Sequence, residues 1–252
     1  MRIIAFANQK GGVGKTTTVQ NVGAALAMFG RSVLLVDLDA QGSLTASCGV
    51  EPEELEKNLY DVLDGRATVG QIKRSVEGLA GIDLLPAGMS LAQADLAFAG
   101  RIGRENMLKK AMSQVEGYDY ILLDCPPNLG LVTVNALVAA GELIIPVQAE
   151  FHALRGLELL QSTVAMIQEL NPTLRAAGIV VTLYDKRKTL NRDVFNELRR
   201  AFPDLIFETR IRDAVALAEA PSHGKDIMAY RPGSAGAEDY ERLAKEIEKR
   251  GA

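Results

Sequence analysis

Cysteine and histidine are scarce, with two of each in 252 residues. Cys48 and Cys125 stand far apart, with no CxxC pair and no histidine at a zinc-site spacing. That excludes a disulfide scaffold or a zinc module and leaves buried or free thiols of a reducing compartment. His152 and His223 are isolated and read as surface or loop residues. Aromatic residues make up 5% of the chain. None is interleaved with basic residues in a way that stacks bases, so single-strand recognition is not expected. No apolar run approaches the ~20 residues of a membrane span. Arg2 is followed by only a short apolar stretch, not by the longer core of a signal peptide, so a cytoplasmic location is expected. A net charge of −4 excludes a surface that coats nucleic acid all round, while leaving room for a local basic patch.

What is present is the balance of a globular protein: 48% hydrophobic and 24% charged residues, enough to bury a sizeable core. No internal repeat, low-complexity segment or Pro/Gly/Ser-rich linker divides the chain, so residues 1–252 are expected to form one domain. Short apolar runs alternate with helical patterns. The runs are 3–7, 32–37, 82–86, 120–124, 143–147 and 177–182; helical patterns fall at 19–29, 157–170 and 191–201, with helical stretches from 86 to about 115. Wholly apolar strands alternating with helices predict an α/β fold, a doubly wound and mainly parallel sheet with helices on both faces. Ligands of such sheets bind beyond the carboxyl ends of the strands, where the connection order switches.

One stretch organises the rest: Gln9-Lys10-Gly11-Gly12-Val13-Gly14-Lys15-Thr16-Thr17, between the first apolar run and a helical pattern. A glycine-rich turn opening a helix sets bare N–H groups and the helix dipole against an anion. Gly11, Gly12 and Gly14 let the backbone wrap a phosphate. Lys15 can reach β- and γ-phosphates and the Thr16 hydroxyl can ligate Mg²⁺. The strict P-loop pattern fails once, because Gln9 stands at its first glycine position; a second lysine, Lys10, opens the loop.

Two acidic features also sit just past strand ends. Asp124 closes a buried run and precedes Cys125-Pro126-Pro127, a place from which a carboxylate can hold Mg²⁺ opposite Thr16. The proline pair stiffens the exit and brings Asn128-Leu129-Gly130 toward the γ-phosphate. Asp37 and Asp39 follow the second run and are expected to point to opposite faces, one toward the metal and one toward the attacking water. In-line phosphoryl transfer needs a group that orients that water.

These residues resemble the deviant Walker A ATPases of the ParA/MinD family. The likeness begins in Lys10-Gly11-Gly12-Val13-Gly14-Lys15-Thr16-Thr17 and continues in Val36 to Gly42 and Leu123 to Pro127. It ends in Glu219-Ala220-Pro221-Ser222-His223-Gly224-Lys225 and Gly236-Ala237, a segment that favours the chromosome- and plasmid-partition branch. The resemblance implies an ATP-sandwich homodimer in which Lys10 crosses to the partner's phosphates. It implies that Lys15 grips β/γ-phosphates, that Thr16 and Asp124 serve Mg²⁺, that Asp37 supports the metal or the switch, and that Asp39 positions the water.

The resemblance further implies non-specific binding of double-stranded DNA by the ATP-bound dimer, hence nucleoid association. It also implies a ParB-like adaptor that stimulates hydrolysis, with 89–115 as its docking surface. Basic residues crowd 186–212: Lys186, Arg187, Lys188, Arg192, Arg199, Arg200, Arg210 and Arg212, with acidic residues between them. Of these, Lys186, Arg187, Lys188, Arg210 and Arg212 are the candidate DNA contacts. Arg187 matches a DNA-contacting arginine of the family, whereas a second family arginine falls on Ala216. Tyr240, Leu243, Ala244 and Ile247 give the last helix one narrow apolar stripe, suited to packing rather than to a membrane. The iron–sulfur cluster of the nitrogenase-reductase relatives is not expected. Two rival readings share the loop: a positioner of a non-DNA cargo, and a metabolic enzyme that phosphorylates a small carboxylate.

Overall fold

The computed structural model describes residues 1–76, 81–150 and 153–251, with backbone alone for 154–161. Its eight strands are β1 (Arg2–Phe6), β2 (Val33–Asp37), β3 (Arg74–Ser75), β4 (Ile82–Leu85), β5 (Tyr120–Asp124), β6 (Glu142–Gln148), β7 (Arg175–Tyr184) and β8 (Ile206–Arg212). They form one sheet in the order β3-β4-β2-β5-β1-β6-β7-β8. All described pairings are parallel except that of the two-residue edge strand β3 with β4.

Successive residues of a strand face opposite sides of the sheet, and here both sides are apolar. Ala5, Leu34, Val36, Ile121, Leu123 and Ile145 pack on one side with helices Leu131–Ala139 and Thr189–Ala201. Ile4, Phe6, Val33, Leu35, Leu122 and Ile144 pack on the other with helices Lys15–Met28 and Ala235–Arg250. The helix after β1 and the helix after β5 therefore cover opposite faces. Between β1 and β5 the connection order switches, which opens a crevice at their carboxyl ends.

Close approach makes the first helix fit. A Cβ on Gly23 would lie 2.7 Å from Leu35 Cδ2, so the helix lies closer to β2 than a side chain there would permit without moving Leu35. The apolar stripe of the last helix is used up by the same face: Tyr240, Leu243, Ala244 and Ile247 are buried there. Among the described residues no helix is long and apolar enough to cross a membrane.

The structure adds two strands, β3 and β8, to the six apolar runs. Strand β8 carries Arg210 and Arg212; its alternating Ile-Phe-Glu-Thr-Arg-Ile-Arg hides a strand among charges. The stretch 86–115 is a series of short turns and one-turn helices, the longest Met107–Met112. Strand β3 was not foreseen, since two residues carry no pattern. As an edge strand β8 presents unpaired N–H groups, and the last helix covers them. Glu246 accepts from the N–H of Glu208 and of Thr209 (3.0 and 2.9 Å), and Asp239 from that of Arg212 (3.0 Å).

Candidate functional site: the glycine loop and its carboxylates

The loop leaves β1 at Phe6 and enters helix Lys15–Met28 at Gly14. Gly12 and Gly14 have φ of 73° and 77°, the left-handed region that side chains avoid, so the turn itself demands them. No described side chain caps the helix N-terminus and its first turn has no acidic residue, which leaves its N–H groups available to an anion. Side chains brace the loop from outside. The Asn8 amide donates to Pro146 O (2.7 Å) and Asn8 Oδ1 accepts from the Lys10 N–H (3.0 Å). The Thr182 hydroxyl donates to Val13 O (2.8 Å), and the Thr18 hydroxyl to Gly14 O (2.7 Å).

The two lysines of the loop lie in opposite environments. Lys15 is buried at 7% exposure, and its ammonium bends back to donate to Lys10 O at 3.3 Å. Burial lowers its pKa from the ordinary lysine value, opposed by the charges of Asp124, Cys125 and Asp39. Lys10 is half exposed at its side chain, where it pairs with Glu150 and reaches Gln148 Oε1 at 3.4 Å.

Asp124 and Asp37 are register partners on β5 and β2, both fully buried. The Thr16 hydroxyl donates to Asp124 Oδ2 at 2.7 Å. Asp124 Oδ1 is buried with no hydrogen-bond partner among the described residues. Burial first, and Asp37 second, push the Asp124 carboxyl well above the usual range. An orphaned carboxylate oxygen beside a threonine hydroxyl is what a hard divalent cation lacks a partner for, so the residues fit Mg²⁺. Among the described residues no three His, Cys, Asp or Glu side chains cluster as an all-protein cage. An ion here would take its other ligands from phosphate and water.

Asp37 is bound into the turn that follows it. Its Oδ2 accepts from the N–H and hydroxyl of Thr45 (2.8 and 2.7 Å), and its Oδ1 from the Asp39 N–H (3.1 Å). Burial raises its pKa to about 6, with the Thr45 hydrogen bonds opposing. Residues two apart share a face of an extended strand, so alternation cannot separate Asp37 from Asp39. The turn beyond Asp37 does so: Asp37 folds inward to Thr45, while half-exposed Asp39 caps the Gln41 N–H at 3.0 Å.

At the far end of the sheet the basic residues fall into two groups. Lys186, Arg187 and Lys188 are exposed on the loop after β7. Arg187 is tied to Asp185, whose carboxyl this hydrogen bonding holds down at about 2. Arg210 lies over the rings of Tyr184 and Phe195 (5.2 and 4.5 Å). Arg212 is paired with buried Asp239 and with Glu238. Lys186, Arg187, Arg210, Arg212 and Arg242 line one groove of about 650 Å³. Ala216 is buried, so that position presents no cation. His223 stacks on Tyr230 (5.0 Å between rings), and Gly224 closes on Gly49, where a Cβ would lie 3.0 Å from its Cα. His152 lies outside the described residues.

Residues unremarked in the sequence prove to brace the site: Asn8, Thr45, Glu150 and Thr182. Single polar residues at strand ends carry no spacing signal; Thr182, lone at the end of an apolar run, is the one that could have been suspected.

A loop that offers bare N–H groups and a buried lysine at a switch point, beside a threonine–aspartate pair, defines a P-loop nucleotide-binding domain. The family described as an AAA domain matches residues 1–176. The chain is 46% identical over 252 residues to the sporulation initiation inhibitor protein Soj of Bacillus subtilis, covering 99% of each. It is 40% identical to the chromosome partitioning protein ParA of Caulobacter vibrioides, over 98% of this chain and 94% of that one. Among solved structures, cobyrinic acid a,c-diamide synthase from Mycobacterium smegmatis with bound ADP and magnesium is 38% identical. It superposes with a TM-score of 0.86 over 97% of this chain and 92% of its own. The chain belongs to the Soj/ParA family of P-loop partitioning ATPases.

Proposed function

We propose that the protein binds ATP with Mg²⁺ on the glycine loop, dimerises face to face around two nucleotides, and hydrolyses ATP slowly. The loop N–H groups and Lys15 hold the β- and γ-phosphates, and Thr16 and Asp124 hold the ion. Mg²⁺, when bound, neutralises phosphate charge. Asp37 fixes the turn that follows it, and Asp39, free of that clamp, orients the attacking water. The observation that carries this reading is the division of labour between the lysines. Lys15 is folded inside the loop, whereas Lys10 is half exposed and held by Glu150 and Gln148, from where it can swing out to a second chain. A cation supplied from a partner neutralises phosphate only after assembly, which couples nucleotide occupancy to dimerisation.

The dimer then holds double-stranded DNA through the exposed Lys186-Arg187-Lys188 loop and Arg210, doubled by the two-fold axis. Arg212, engaged with Asp239, contributes mainly to the shape of the groove. Such binding is phosphate neutralisation and falls steeply with salt. A ParB-like adaptor docks on the 89–115 surface, where Met89, Leu96 and Ile102 are exposed, and stimulates hydrolysis to release the dimer. The protein thus works in the cytoplasm and joins the nucleoid in its ATP state, as one domain spanning the chain. A positioner of a non-DNA cargo would use the same switch. The likeness to a diamide synthase favours a metabolic reading, against which stand Lys10 and the Glu219–Lys225 segment.

Sedimentation of the wild type and of Lys10→Ala with ATP, ADP or neither tests the switch. The expected result is a dimer with ATP alone, lost in Lys10→Ala; nucleotide-independent dimers contradict it.

A further inference from the structure

We infer that Thr182 and Asn191 are positioning residues that make the presentation of Arg187 depend on the state of the nucleotide loop. The inference rests on the DNA-binding reading above and concerns its regulation.

Two buried hydrogen bonds link the chain around Arg187 to the nucleotide site, one to Val13 of the glycine loop and one to Ala149, beside the residues that hold Lys10. On one side the hydroxyl of Thr182, at 2% exposure, donates to Val13 O at 2.8 Å. Its methyl group meets Gly14, where an added Cβ would lie 3.9 Å away. On the other side Asn191, at 7% exposure, bridges two backbone segments. Its amide donates to Ala149 O at 2.7 Å, and its Oδ1 accepts from the Asp185 N–H at 2.8 Å. Ala149 lies between Gln148 and Glu150, the two side chains that hold Lys10 in this single chain. Asp185 in turn accepts from the backbone N–H and the guanidinium of Arg187. Val13 and Lys10 therefore reach the same short loop by separate routes.

Between the two anchors the backbone is strained. Leu183 has φ 50°, the one non-glycine residue with positive φ among those described. A leucine stays in that region only where its surroundings over-determine it, and such strain gathers at switches. Next to it Tyr184 is locked: its ring packs edge-on against Phe195 under Arg210, and its carbonyl accepts from the Asp213 N–H at 3.1 Å. The loop is thus fixed at both sides of one strained residue. When Lys10 leaves Glu150 for a partner's phosphates, the 148–150 segment loses a partner and the Asn191 bridge is free to move with it. Thr182 meets the glycine loop at Val13 O and beside Gly14, whereas Asn191 reaches only the backbone of Ala149 and Asp185, so the coupling has two separable arms.

The test measures the affinity of the full chain for a random-sequence DNA duplex at fixed salt. It compares Mg²⁺ with a non-hydrolysable ATP analogue against Mg²⁺ with ADP. Thr182→Val keeps shape and loses the hydroxyl; Asn191→Asp keeps the acceptor for Asp185 and loses the donor to Ala149; Thr182→Ser keeps the hydroxyl. In the wild type the two affinities should differ by about tenfold or more, within the usual range of allosteric coupling. In Thr182→Val and Asn191→Asp the difference should shrink to about threefold or less with each nucleotide at a concentration that saturates the variant, and Thr182→Ser should keep the wild-type difference. Variants that melt cooperatively and keep the wild-type difference overturn the inference. A wild type that shows no difference removes the DNA-switch reading itself, before any variant is compared. Should either variant fail to fold, the other decides with Thr182→Ser as its reference.

Discussion

The hydroxyl of Thr16 donates to Asp124 Oδ2 at 2.7 Å, across the gap between the glycine-loop helix and β5, while the second oxygen of Asp124 stays buried and unpaired. Two residues far apart in sequence thus meet at the place proposed for the cation, with one carboxylate oxygen left to take it. Asp124→Asn should abolish the extra thermal stabilisation that Mg²⁺ adds to ATP, leaving the smaller shift by ATP in EDTA. An unchanged Mg²⁺ increment would remove Asp124 from the metal's ligands.

Lys15 is buried against its tendency to be charged. Because its pKa falls on folding, the unfolded chain binds more protons in the alkaline window below the ordinary lysine value, and stability rises with pH there. Lys15→Ala should flatten that rise and leave the fold intact, while weakening ATP binding by about tenfold or more, as expected for losing a charge-assisted contact. Urea titrations across pH and a nucleotide-binding assay check both halves. A variant that binds ATP normally contradicts the assignment of the loop.

Asp39 differs from Asp37 in having, among the described residues, no clamp on its carboxylate beyond the turn N–H of Gln41. Asp39→Ala should bind ATP and dimerise but turn over at least about a hundredfold more slowly, the low end of what a positioned base contributes. The dimer should persist on a sizing column after ATP is washed away. Normal turnover would move the water-orienting role elsewhere.

The two thiols are buried, and burial raises that of Cys48 to about 12 and that of Cys125 higher still. The thiolate is the nucleophile, so at pH 8 both should resist a disulfide reagent until the chain unfolds. Prompt reaction of the native protein would contradict their placement.

At β7 the packing leaves no slack. A Cβ on Gly178 would fall 2.2 Å from Phe207 Cε2. Gly178→Ala should cost about 1–3 kcal/mol through overpacking, read as a lower urea midpoint with unchanged slope.

How much of this was legible beforehand follows from which signals are periodic. The parallel core strands were, because β1, β2, β5, β6 and β7 are apolar on both faces and bounded by turns. The nucleotide loop was, because glycine spacing and Lys15-Thr16 encode a geometry directly. Strand β8 was not: it is an edge whose outward residues are arginines and glutamate, and its partners Asp239 and Glu246 come from a helix near the chain's end. For Asp37 the motif left the metal and the switch open, and only its neighbours reveal a clamp on Thr45. Arg212 likewise reads as a free cation until Asp239 is seen beside it. Partners distant in sequence decide what a charge does, and no local pattern carries them.

The most direct measurement is a salt titration of duplex-DNA retention by the full chain with ATP, with ADP and without nucleotide. The ATP state should bind, and its affinity should fall linearly with log salt at about 0.9 per phosphate neutralised, with weak retention in the other two states. Retention of equal strength in all three states would contradict the account of the loop as a dimer switch that governs DNA binding.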